Sequence, residues 1–130
     1  MPKIVVTTEE QLINNMQAKE HLPEILQHAI IQADYLPDNI VGNQIAVNRF
    51  SGEEVILPPL AFKEYTVAIF AHDVLWELNE LSRIAESFPV TREKMREQHQ
   101  QMYDDNHEIF YAAREWFIEY YINEYMRLLD

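Results

Sequence analysis

The stretch from Pro59 to Leu128 is more than half of the chain, holds no glycine, and has one internal proline, Pro89. Tight turns between short strands need residues that accept a positive φ, and this stretch has almost none to offer. Long helices are the remaining solution. Val67, Phe70, Val74, Leu78, Leu81, Ala85 and Phe88 recur at intervals of three and four, the mark of one apolar stripe on a helix. The spacing predicts a helix from Pro58-Pro59 to about Phe88, ended by Pro89. A final helix is predicted from about Arg92 to Leu128, capped by Thr91, with a kink at Asp104-Asp105-Asn106, which are poor helix formers. Joined by residues 88–91, the two are expected to pack antiparallel.

The first half reads differently. Ile4-Val5-Val6 is β-branched and predicts a short strand. Thr8 and Gln11 have the spacing of a capping box, so a helix carrying Leu12, Ile13 and Met16 is expected to begin there. Pro23 suits the first turn of a second helix that ends near Tyr35, because Pro37 disfavours helix in the residue before it. Gln44–Asn48 and Glu54–Leu57 are β-prone runs around a Ser-Gly pair and predict a hairpin. Two strands alone are marginal in water, so the hairpin is expected to lie on a helix or to pair with residues 4–6. The sum is an α+β fold, predominantly helical: two shorter N-terminal helices, a small β-hairpin or three-stranded sheet, and two long C-terminal helices. At 130 residues the chain is expected to be one domain, residues 1–130.

Charge narrows the function. The net charge is −12, which opposes direct binding to nucleic acid or an anionic membrane and favours a basic protein partner. With no cysteine in the chain, thiolate metal sites, thiol nucleophiles and disulfides are excluded. The apolar run at the N-terminus is too short for a signal peptide. No segment approaches the ~20 apolar residues of a membrane span, so a cytoplasmic protein is expected.

The charge also has a pattern. On a helical wheel Asp104, Glu108, Glu115 and Glu119 fall within a strip about 60° wide and about 22 Å long. Tyr111 falls inside the same strip. Met102, Ile109, Ala113, Trp116 and Tyr120 fall on the other side. Like charges four residues apart repel, and no cation stands at the positions that would relieve Asp104/Glu108 or Glu115/Glu119. The spacing of these acids along the axis is comparable to that of phosphates on one nucleic-acid strand. Asp104, Glu108, Glu115 and Glu119 are therefore the candidate partner-binding residues, with Tyr111 as the contact anchor.

Other constellations give shorter and less complete motifs. His72-Asp73 resembles the paired ligands of the HD phosphohydrolases, which would need further ligands such as His28 and Asp104 or Asp105. The bland alternative is a half-buried, hydrogen-bonded His72. Asp104-x-x-His107 with Glu108 resembles half of a helical-bundle metal motif, and Glu24 and His28 do not complete it. Glu77-x-x-Glu80 resembles the carboxylate motif of all-helical nucleotide pyrophosphatases, without its second acidic element. No glycine-rich phosphate loop or Ser-His-Asp arrangement is assembled. No catalytic residue, metal ligand or cofactor is assigned.

Asn48-Arg49-Phe50-Ser51-Gly52-Glu53-Glu54-Val55-Ile56-Leu57-Pro58 resembles a recurring segment of small tailed-phage proteins, in which an Asn-Pro-Phe-Ser-Gly-Glu-type turn precedes a helix. The ending Asn123–Asp130 is similar to the closing residues of such proteins. Together they span under a fifth of the chain. Arg49 stands where proline is usual, and the N-terminal helices are extra. The resemblance implies a phage-like origin and no activity.

The expectation is thus a non-enzymatic acidic binding protein, a phage-type or immunity-type inhibitor acting in the (host) cytoplasm on a basic, nucleic-acid-binding surface of a target. The alternatives are a self-assembling homo-oligomer using the aromatic face Trp116, Phe117, Tyr120, Tyr121 and Tyr125, and an HD-like metal-dependent phosphohydrolase.

Overall fold

A computed structural model describes residues 8–85 and 89–129. The strand expected at Ile4-Val5-Val6, the pairing of the hairpin with it, and Phe88 lie outside the described residues. The elements run α1 (Glu9–Glu20), α2 (Glu24–Gln32), β1 (Gln44–Val47), β2 (Glu54–Leu57), α3 (Pro59–Ala85), α4 (Pro89–Tyr120) and α5 (Ile122–Leu129). The fold is α+β and predominantly helical. Among the described residues the sheet has two strands.

α3 and α4 form an antiparallel pair. Tyr65 meets Phe117 edge-on at 6.4 Å between ring centroids, and His72 meets Phe110 at 5.6 Å, so advancing on one helix means retreating on the other. Ala61, Ala68 and Ala71 on α3 and Ala113 on α4 are buried, and side chains of that size let two helix backbones approach closely. Trp116 and Phe117 fill the space beside them, at 5.2 Å and nearly perpendicular.

The stripe predicted for α3 is partly displaced. Val67 and Leu78 are buried, but Phe70 and Leu81 are exposed, and the inward face runs through Ala61, Glu64, Ala68, Ala71 and Leu75. Phe70 instead stacks on Tyr35 at 4.7 Å on the surface. Small residues won the interface because α4 supplies the large aromatics.

Two boundaries are also corrected. Pro89 opens α4 rather than only closing α3, since a first-turn N–H is not needed and the fixed φ suits helix entry. Thr91 is therefore inside the helix. No break occurs at Asp104-Asp105-Asn106, where the side chains satisfy themselves within the turn: Gln100 Nε2 donates to Asp104 at 2.9 Å, Gln101 Nε2 to Asp105 at 2.8 Å, and Asn106 Nδ2 to the Met102 carbonyl at 2.8 Å. The break falls at Tyr121. There Asn14 Nδ2 of α1 donates to the Tyr120 carbonyl at 2.8 Å, and the Tyr121 hydroxyl donates to Asn15 Oδ1 at 2.6 Å.

α1 starts on the predicted capping box: Thr8 Oγ1 accepts from the Gln11 N–H, and Gln11 Oε1 accepts from the Thr8 N–H. It docks mainly through polar groups. Besides Asn14 and Asn15, the buried Ala18 carbonyl accepts from Trp116 Nε1 at 2.8 Å. Leu12, Ile13 and Met16 are left exposed.

The hairpin pairs Gln44 with Leu57 through Val47 with Glu54. Ala46, Val55 and Leu57 point into the core. Its turn is built on buried Asn48, whose Oδ1 accepts from the N–H groups of Phe50 (2.8 Å) and Ser51 (3.1 Å). Gly52 takes φ +77°, a conformation that a side chain would strain. Asn48 Nδ2 then donates to the Arg127 carbonyl of α5 at 2.7 Å, and Arg127 Nε donates to Glu53 at 2.7 Å. The hairpin turn and α5 thus pack against each other.

Candidate functional site

With Ala113, Trp116 and Phe117 in the core, helical geometry fixes which face of α4 meets water. Asp104, Glu108, Glu115 and Glu119 are all exposed, on one unbroken helix. Tyr111 is half exposed, at 50%. The structure brings the five residues predicted from sequence onto a single outward ridge. Among the described residues, no arginine or lysine pairs with any of the four carboxylates.

A feature missed in the sequence runs beside them. Tyr103, His107 and Tyr111 form a ladder, with ring centroids 5.9 Å and 5.0 Å apart. Their spacing of four residues was a legible signal. At the far end, burial and then the charges of Glu119 and Glu20 push the Tyr120 hydroxyl up. A ridge of this kind offers carboxylates to guanidinium or ammonium groups, with flat rings alongside for stacking.

The metal candidates are not assembled. Among the described residues, no group of three or more His, Asp or Glu side chains is placed to hold an ion. Asp73 is instead engaged by Arg49, at 2.8 Å, with His72 Nδ1 3.7 Å away. His72 is exposed, against the expectation of a half-buried, hydrogen-bonded ring, and it rests on Phe110. Glu80 pairs with Arg83 at 2.8 Å.

Glu64 was not singled out in the sequence, because a glutamate between Lys63 and Tyr65 looks like a solvated helix residue. It is fully buried, and neither carboxylate oxygen has a hydrogen-bond partner among the described residues. Burial pushes its carboxyl up to about 8, so the neutral acid is the form held inside at pH 7.

The aromatic face offered as a dimer interface is largely used within the chain. Trp116, Phe117 and Tyr121 are buried, and Tyr120 and Tyr125 are half-buried against the same core. Among the described residues, no helix is long and apolar enough to cross a membrane. Comparison with known proteins gives no matching family model, no matching curated protein and no matching solved structure.

Proposed function

We propose that the protein is a non-enzymatic binding protein that uses the Asp104–Glu119 ridge to occupy a basic surface of a target protein. The carrying observation is the unbroken helix through these residues, with four outward carboxylates and no cation of the described chain set against them. Unrelieved like charges slightly destabilise a helix, so a cationic partner gains by relieving them. The ridge's geometry suits a groove that normally takes a phosphate backbone. Such a protein would act as an inhibitor, in the manner of a phage counter-defence or immunity protein, in the cytoplasm where those targets work.

The test compares wild type with the Glu108→Lys/Glu115→Lys double variant as bait in bacterial lysate, at low and high salt. The reading expects basic proteins retained by wild type at low salt, lost at high salt, and lost from the variant while its circular dichroism is unchanged. Equal capture by both baits would overturn it. Electrostatic recognition of this kind acts strongly on association rate and is steeply salt-dependent.

A further inference from the structure

A second surface has the opposite character. Between the hairpin tip, the middle of α3 and the α4–α5 corner lies a half-open cleft of about 580 Å³. That is within the size range of small-ligand sites. Its charged groups are Arg49, His72, Asp73 and Arg114. Asp73 is matched by Arg49, while Arg114 makes no ion pair among the described residues. Two arginines against one aspartate leave the cleft with a positive excess, in a chain of net charge −12.

Rings surround these cations. Phe50 is 90% exposed and Trp76 is 61% exposed, and both line the cleft together with Phe110. Phe50 is not at a slack loop end. Asn48 Oδ1 fixes its N–H, and Asn48 is itself buried and tied to α5. Arg49 beside it is oriented by the 2.8 Å bond to Asp73. That bond uses one guanidinium nitrogen and leaves further N–H donors for a ligand. The scaffold therefore fixes the backbone that carries Phe50 next to a pre-oriented cation, and such pre-organisation reduces the ordering cost of binding. Beneath the cleft a small apolar hollow, about 10 Å³, opens between Tyr65, Phe117 and Leu128.

We infer that this cleft binds a small aromatic anion: a ring carrying a phosphate or carboxylate, with the ring against Phe50 and Trp76 and the anionic group on Arg114 and Arg49. Arginine is suited to both halves, since it pairs with oxyanions bidentately and stacks on rings. On the α4 wheel Arg114 lies about 80° round from Asp104, so the cleft adjoins the acidic ridge, and none of the ridge's four carboxylates lines it.

The test is titration calorimetry of the full chain with phenyl phosphate, a nucleoside monophosphate, benzoate and inorganic phosphate. Exposed Trp76 provides a fluorescence signal for phenyl phosphate, because the other tryptophan, Trp116, is buried. At least one of the three aryl anions is expected to bind ten times more tightly than inorganic phosphate, and which one does so identifies the source of the ring. Arg114→Gln should weaken that binding about tenfold, and Phe50→Ser several-fold. Both side chains are exposed, so the variants should fold, and Lys19→Gln on α1 should bind like wild type. The inference is overturned if no aryl anion saturates at millimolar concentration, if inorganic phosphate binds as tightly, or if Arg114→Gln and Phe50→Ser leave affinity unchanged.

Discussion

Replacing Glu64 with methionine should stabilise the protein, and by an amount that grows with pH. The carboxyl is fully buried without a hydrogen-bond partner among the described residues. Its folded value is about 8, against 4.5 as the ordinary value. The folded state therefore holds a proton that the unfolded state releases between those two values. Stability is greatest below the unfolded value and falls as pH rises toward the folded one. At 1.36 kcal/mol per pH unit, the loss is about 1 kcal/mol at pH 5, about 3 at pH 7 and about 4 at pH 8. The chain has 22 acidic residues, so wild type alone would not isolate the effect of one. The informative quantity is the difference between wild type and Glu64→Met, from urea unfolding at pH 5, 7 and 8. Methionine has a similar volume and no charge to desolvate. The gap should widen by about 3 kcal/mol from pH 5 to pH 8. Parallel stability curves for the two proteins would refute the reasoning, and would mean that water or a cation reaches Glu64.

Two further substitutions test how the elements are joined. Asn48→Ala removes the acceptor for Phe50 and Ser51 and the donor to Arg127, and should lower unfolding stability by about 2–4 kcal/mol, read as the urea midpoint. Trp116→Phe keeps most of the ring but leaves the buried Ala18 carbonyl without its donor, at a cost of about 1–3 kcal/mol. Emission from the variant should then come from exposed Trp76 and lie to the red of wild type.

Local signals were the most legible part of the fold. The Thr8–Gln11 capping box and the hairpin strands stand where short-range chemistry puts them. The ridge was legible as well, because Trp116 and Ala113 fix the inward face of α4 and so determine where Asp104, Glu108, Glu115 and Glu119 must point. What depended on tertiary partners was not legible. The break at Tyr121 has no glycine or proline to announce it; an asparagine from the first helix takes the Tyr120 carbonyl. The rotation of α3, with Phe70 outward, follows from the size of the aromatics across the seam. The cleft combines Arg49, Trp76 and Arg114 from three separate elements, and no spacing rule relates them.

The bond from Asn48 to Arg127 reaches across 79 positions. On the ribosome, the hairpin's amide is made long before the carbonyl that will receive it. Structure forms as a chain emerges, but here the hairpin turn is sealed by a carbonyl of α5, so sealing waits until Arg127 has been made. A nascent or shortened polypeptide ending before Arg127 would carry that loop without its anchor to α5, leaving Asn48 and Glu53 unpartnered there. The ability to take up a ligand at the hairpin tip would then arise only after α5 has docked on the turn.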